Sequence, residues 1–214
     1  MERTSRACRA VIKGLVVAFA CSALAASAAN GSGVDAASCG KLLPPASGAY
    51  FGALTDFPNE DEVQTYLINR FERLAGRKLV WAYFAQHWYV SLDFPRETVL
   101  AVWRNGQIPF IRFNPQSAPP QTYPEQTYTL QRIIDGRFDT QLRKWADAAR
   151  GTNIPLLMEF GTELNDTWGP WNATWNGAGQ TDGYGDPNYP DGAERFGTPS
   201  ATSLISSVKK GRRM

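Results

Sequence analysis

Glu163 stands in the segment Thr162-Glu163-Leu164-Asn165-Asp166-Thr167-Trp168-Gly169-Pro170-Trp171, just past the apolar run Ile154 to Phe160. That run reads as a buried strand. A carboxylate beyond the carboxyl end of a strand in a parallel β/α array lies where such folds carry chemistry. Trp168 and Trp171 follow at a spacing of three in a Gly/Pro context that is not helical. An exposed indole presents a flat apolar face on which a pyranose ring can stack. A carboxyl in a partly dry site can protonate a glycosidic oxygen. By residue type alone, Glu163 reads first as a strand-end carboxylate paired with Arg112, and the two indoles as packing at the rim. His87, in Phe84-Ala85-Gln86-His87-Trp88-Tyr89, and Asn114 close two other strand candidates on the same side. Both are candidate substrate contacts. Glu159 lies inside its strand and reads as structural.

The elements that must position these residues alternate. Ala49 to Leu54, Lys78 to Phe84, Ile108 to Phe113 and Ile154 to Phe160 are short apolar runs with strand character. Between them, Val63, Tyr66, Leu67, Phe71 and Leu74 recur at helical spacing. Asn59 and Glu62 are placed as a capping box, and Gly76 as a stop. Glu97 to Arg104 suits a short helix. Phe138, Leu142, Trp145, Ala146 and Ala149 form one face of another, with Gly151 beyond. Strands apolar on both faces alternating with helices imply parallel β/α units, an α/β fold class. Both a (β/α)8 TIM barrel, here reduced to about its first four units, and an open doubly wound sheet fit the pattern. Gly48, Gly52 and Gly76 lack the spacing of a phosphate-binding loop, so no nucleotide cofactor is expected. A single His and three Cys leave no metal site to expect.

From Gly48 to Phe196 the chain resembles glycoside hydrolase family 26, the β-mannanase-like family. The resemblance is carried by Gly48-Ala49-Tyr50-Phe51-Gly52-Ala53, by Ile133-Ile134-Asp135-Gly136-Arg137-Phe138-Asp139 and by Trp145-Ala146. It is carried most specifically by Glu163-Leu164-Asn165 with Trp168 and Trp171. It implies a barrel and retaining hydrolysis of a β-linked, mannan-like polysaccharide. Glu163 becomes the general acid/base, and Trp168, Trp171 and Asn165 become substrate contacts. Two positions depart from the family: Thr162 stands where it usually has His, and Asp166 where it usually has Gly.

The resemblance puts a second Glu, the nucleophile, at the end of a seventh strand. The acids after Glu163 are Asp166, Asp182, Asp186, Asp191 and Glu194, all in one Gly/Asn/Asp/Tyr-rich loop. None stands on a seventh strand, so residues 48–196 are expected to be the amino-terminal half of the barrel and inactive alone. The rival expectation is a non-catalytic carbohydrate-binding or polysaccharide-assembly protein on a degenerate barrel.

The formal charge of +2 is a sum over unlike pieces. Arg3, Arg6, Arg9 and Lys13 precede the apolar run Gly14 to Ala26 and the small-residue site Ala26-Ser27-Ala28. This is the layout of a signal peptide over residues 1–28, followed by a flexible leader over 29–47. The expectation is a secreted protein, extracellular or periplasmic, with no membrane attachment after cleavage. Lys209, Lys210, Arg212 and Arg213 close the chain with no acid in residues 197–214. That stretch has weak periodicity and a proline at 199, and it leaves the family pattern; a change of reading frame after residue 196 is the expectation for it. The body between the basic ends is net acidic, which argues against a nucleic-acid-binding face there. A polysaccharide is the partner expected.

Overall fold

The structure, a computed structural model, describes residues 45–119 and 125–198. The expected signal peptide, most of the expected leader and residues 199–214 of the basic tail lie outside them. Four strands form one sheet: β1 (Gly52–Leu54), β2 (Trp81–His87), β3 (Ile108–Asn114) and β4 (Leu157–Phe160). All neighbours are parallel and the order is β1-β2-β3-β4. The connecting helices are α1 (Thr65–Ala75), α2 (Arg96–Arg104), α3 (Leu130–Ile134) and α4 (Asp139–Arg150). The class is therefore α/β with parallel β/α units. Each crossover advances one strand in the same direction. Right-handed crossovers that all advance one way lay their helices on one face, whereas a doubly wound sheet reverses at a switch point. Among the described residues there is no reversal.

The core lies on that helix-covered face. Phe84, Ile111, Phe113, Met158 and Phe160 from the strands meet Ile68 of α1, Val99 and Val102 of α2, and Leu142, Trp145 and Ala149 of α4. Trp145 is the hub, with ring centroids 5.0 Å from Phe94 and 5.4 Å from Phe113. Its indole N–H donates to Gln86 Oε1 at 2.9 Å. The Gln86 amide donates in turn to the carbonyls of Ser91 and Asp93. A buried polar side chain of β2 is thereby satisfied at both ends and ties the loop after β2 to α4.

Several boundaries differ from the periodicity, each for a local reason. Asn59 and Glu62 make a turn, not a helix cap. The Asn59 amide donates to the Glu62 carboxylate at 2.8 Å, where a capping box needs the Asn oxygen to accept from the backbone. The helix starts at Thr65, after Gln64 in extended conformation. Gly76 ends it as expected, at φ 67°, with its N–H on the Glu72 carbonyl. β2 runs from Trp81; ahead of it Val80 already bonds Phe51 and Ile108, and the Leu79 N–H is taken by the buried carboxylate of Glu72, at 2.9 Å. β4 begins at Leu157; Pro155 has no N–H to give a ladder, and the Ile154 N–H is held by Thr152. The short α3, capped by Thr129, and helical residues 191–198 were not legible as periodic segments. The second of these carries the helix two residues past Phe196. There the Thr198 hydroxyl donates to the Glu194 carbonyl and accepts from Tyr184.

Candidate functional site at the carboxyl ends of the strands

Beyond β4 the chain turns sharply. Gly161 has φ 58° and Glu163 has φ 50°, both left-handed. A non-glycine residue there costs about 1–3 kcal/mol and persists only where the surroundings hold it. What holds it is the indole of Trp171, which is 1% exposed. Its N–H donates to the Thr162 carbonyl at 2.7 Å. A Cβ on Gly161 would come within 2.7 Å of Trp171 Cδ1, and one on Gly169 within 2.6 Å of its Cε2. Asn172 adds a bond from its amide to the Leu164 carbonyl at 3.0 Å.

On this base stand Trp168 and Glu163. The Trp168 N–H donates to Glu163 Oε2 at 2.6 Å. The Trp168 ring meets Trp171 edge to face, with centroids 5.3 Å apart and planes at 81°. Glu163 and Asn165 are exposed on the same turn. The described residues do not enclose the carboxylate, so they do not supply the dry surroundings expected of a general acid.

The ladder brings a second group to the same edge. His87 and Asn114 are register partners at the ends of β2 and β3, and the Gly161 N–H on the Phe113 carbonyl sets the start of the Glu163 turn beside them. The Asn114 and Gln116 side-chain nitrogens each lie 3.4 Å from His87 Nδ1. With two amide donors facing Nδ1, the tautomer assigned to the ring carries its proton on Nε2. The ring stacks on Tyr89 at 5.1 Å. Burial lowers the His87 pKa below 6.5, while the carboxylates of Asp61 and Glu60 pull the other way. Asn114 is 1% exposed and, among the described residues, its Oδ1 has no partner. An unpartnered buried acceptor beside an imidazole is a place for a donor such as a hydroxyl.

The third group lies on the sheet face away from the core. Arg112 donates to Glu60 at 2.9 Å and to the Tyr83 hydroxyl at 2.8 Å, and Tyr83 donates to Glu159. Burial and the Glu159 hydrogen bond push Tyr83 up to about 12. Burial opposes the charge on Arg112, but its Tyr83 bond and the Glu60 and Glu159 carboxylates outweigh that and raise its pKa. Arg112 is thus committed to Glu60 and Tyr83, and Glu163 to Trp168.

Of the residues singled out by sequence, Glu163 and Trp168 are joined directly, His87 and Asn114 are joined across a ladder, and Asn165 sits on the Glu163 turn. Trp171 lies beneath that turn, where its faces are covered by protein and cannot stack a ligand in this conformation. Gly161, Thr162, Gln116 and Tyr89 were missed. Each acts through backbone conformation or a nonlocal contact, which residue type does not advertise. A separate cleft of about 390 Å³ lies between the loops that follow β3 and β4, lined by Glu125, Thr129, Pro170, Trp175, Asn176 and Arg195 among others. Among the described residues no group of three or more His, Cys, Asp or Glu is arranged to hold a metal ion. Among them, too, no helix is long and apolar enough to cross a membrane. No protein-family model matches the chain, and no curated protein matches it significantly.

Proposed function

We propose that the chain is the amino-terminal half of a secreted (β/α)8 glycoside hydrolase related to family 26, acting with retention on a β-linked, mannan-like polysaccharide. The observation that carries the reading is the paired Glu163 and Trp168 on the turn past β4, at the same end of the sheet as His87 and Asn114. The unreversed strand order supports the barrel, because four units that all advance one way describe an arc.

In this reading Glu163 gives its proton to the leaving glycosidic oxygen and later takes one from the attacking water. Asn165 and the Asn114 oxygen meet sugar hydroxyls, and the Trp168 ring lies under a sugar face. A retaining enzyme needs a second carboxyl group about 5–5.5 Å away as nucleophile. The resemblance assigns it to a seventh strand, and the described strands number four. In this reading the four described units hold sugar weakly at most and turn none over.

The experiment is hydrolysis of mannan and mixed-linkage glucan by residues 1–196 joined to the segment that the alternative frame after codon 196 encodes; an alternative frame without a helix and four further β/α units sinks the truncated-barrel reading. Turnover that is lost in Glu163→Gln supports the reading. Turnover that survives Glu163→Gln sinks it. Binding without turnover in the extended protein would instead favour a non-catalytic carbohydrate-binding protein.

A further inference from the structure

Trp168 does more to Glu163 than lie beside it. Glu163 is exposed, and among the described residues the Trp168 N–H is the one side-chain hydrogen bond its carboxylate receives. At 2.6 Å this is a short N–H···O bond. A glutamate otherwise free in water would sample several rotamers. The indole that restrains it is itself held, edge to face, by Trp171. Trp171 is buried and anchored on the Thr162 carbonyl, one residue before Glu163. The support thus runs in a closed circuit, from the Glu163 backbone through Thr162, Trp171 and Trp168 back to the Glu163 carboxylate.

We propose that Trp168 is a positioning residue whose indole N–H occupies Glu163 Oε2 and so reserves Oε1 as the oxygen that carries and transfers the proton. In the protonated acid the carbonyl oxygen is the better acceptor, so the N–H selects Oε2 as the carbonyl and leaves the O–H at Oε1. In the carboxylate the same N–H stays on Oε2, and Oε1 is the free base. The oxygen facing the ligand is the same in both directions of proton transfer. The catalytic consequence rests on reading Glu163 as the acid/base; the pairing itself does not.

The test uses the full chain with 15N-labelled tryptophan, followed by 1H–15N correlation spectra across the acid range. The Trp168 indole resonance, assigned by its loss in Trp168→Phe, is expected to move with pH. It should stop moving in Glu163→Gln, while the buried Trp145 and Trp171 resonances stay in place and report an intact fold. A Trp168 resonance that ignores pH, or that moves identically in Glu163→Gln, overturns the pairing. In the chain extended by the alternative frame, Trp168→Phe keeps a ring for stacking but removes the N–H. There kcat should fall about 10- to 100-fold with KM little changed; a rise in KM with kcat spared means stacking alone and overturns the positioning role. A titrating indole in a protein that hydrolyses nothing would sink the glycosidase reading and leave the pairing standing.

Discussion

Gly161 leaves the space that the Trp171 indole fills, with 2.7 Å between the site of an absent Cβ and Trp171 Cδ1. Gly161 is also left-handed, at φ 58°. Gly161→Ala meets both the conformational penalty and the clash, and should destabilise the chain by about 2–4 kcal/mol. Urea denaturation checks this. A loss under about 1 kcal/mol would mean that the turn relaxes and that its conformation is not imposed by Trp171.

Trp145 is the core's hub and Trp103 a half-exposed residue of α2. Trp145→Ala removes a buried indole and strands the Gln86 oxygen, at a cost of about 3–5 kcal/mol. Trp103→Ala should cost about 1 kcal/mol or less. Equal losses in the two variants would contradict the packing described.

Glu72 is a buried carboxylate that accepts from the Leu79 N–H and the Gln107 amide, and from Lys78. Glu72→Ala leaves buried donors unpaired and should cost about 2–4 kcal/mol. Lys78 is 80% exposed, so Lys78→Ala should cost less than about 1 kcal/mol despite breaking an ion pair. The two denaturation midpoints, read side by side, test whether the carboxylate serves the backbone or the lysine.

His87 has a pKa lowered by burial from the ordinary value of 6.5. The unfolded chain then takes up a proton before the folded one does. The stability this group contributes is full above about pH 6.5 and is lost as pH falls through the lowered folded value. His87→Gln removes a titrating group and should flatten the fall in urea midpoint between about pH 7 and pH 5. An unchanged slope would mean that other groups govern acid sensitivity.

Much of the architecture was legible along the chain. The spacing of Leu67 and Phe71, of Leu142, Trp145 and Ala149, and the apolar run Ile108 to Phe113 set three elements, although Val63, in the same pattern, lies before the helix. Helix and strand periods follow from backbone geometry and from which face is buried, and both leave a local trace. The ends of elements were less legible. Ahead of β2 the Leu79 N–H goes to the distant Glu72 carboxylate, and Asn59 was spent on a turn.

Sequence by itself determined that β/α units alternate, that Glu163 follows β4, and that two tryptophans and a carboxylate share one turn. Only the tertiary structure decided what each of these does. Trp168 and Trp171 stand in the same Gly/Pro stretch, yet one indole is buried beneath Gly161 while the other holds a carboxylate. Arg112 went to Glu60 and Tyr83, not to Glu163. The direction of winding, too, came from the order β1-β2-β3-β4. The physical reason is common to all three. Local conformation is chosen by a residue and its near neighbours, whereas the partner of a side chain is whichever group the packing of distant segments brings within about 3 Å.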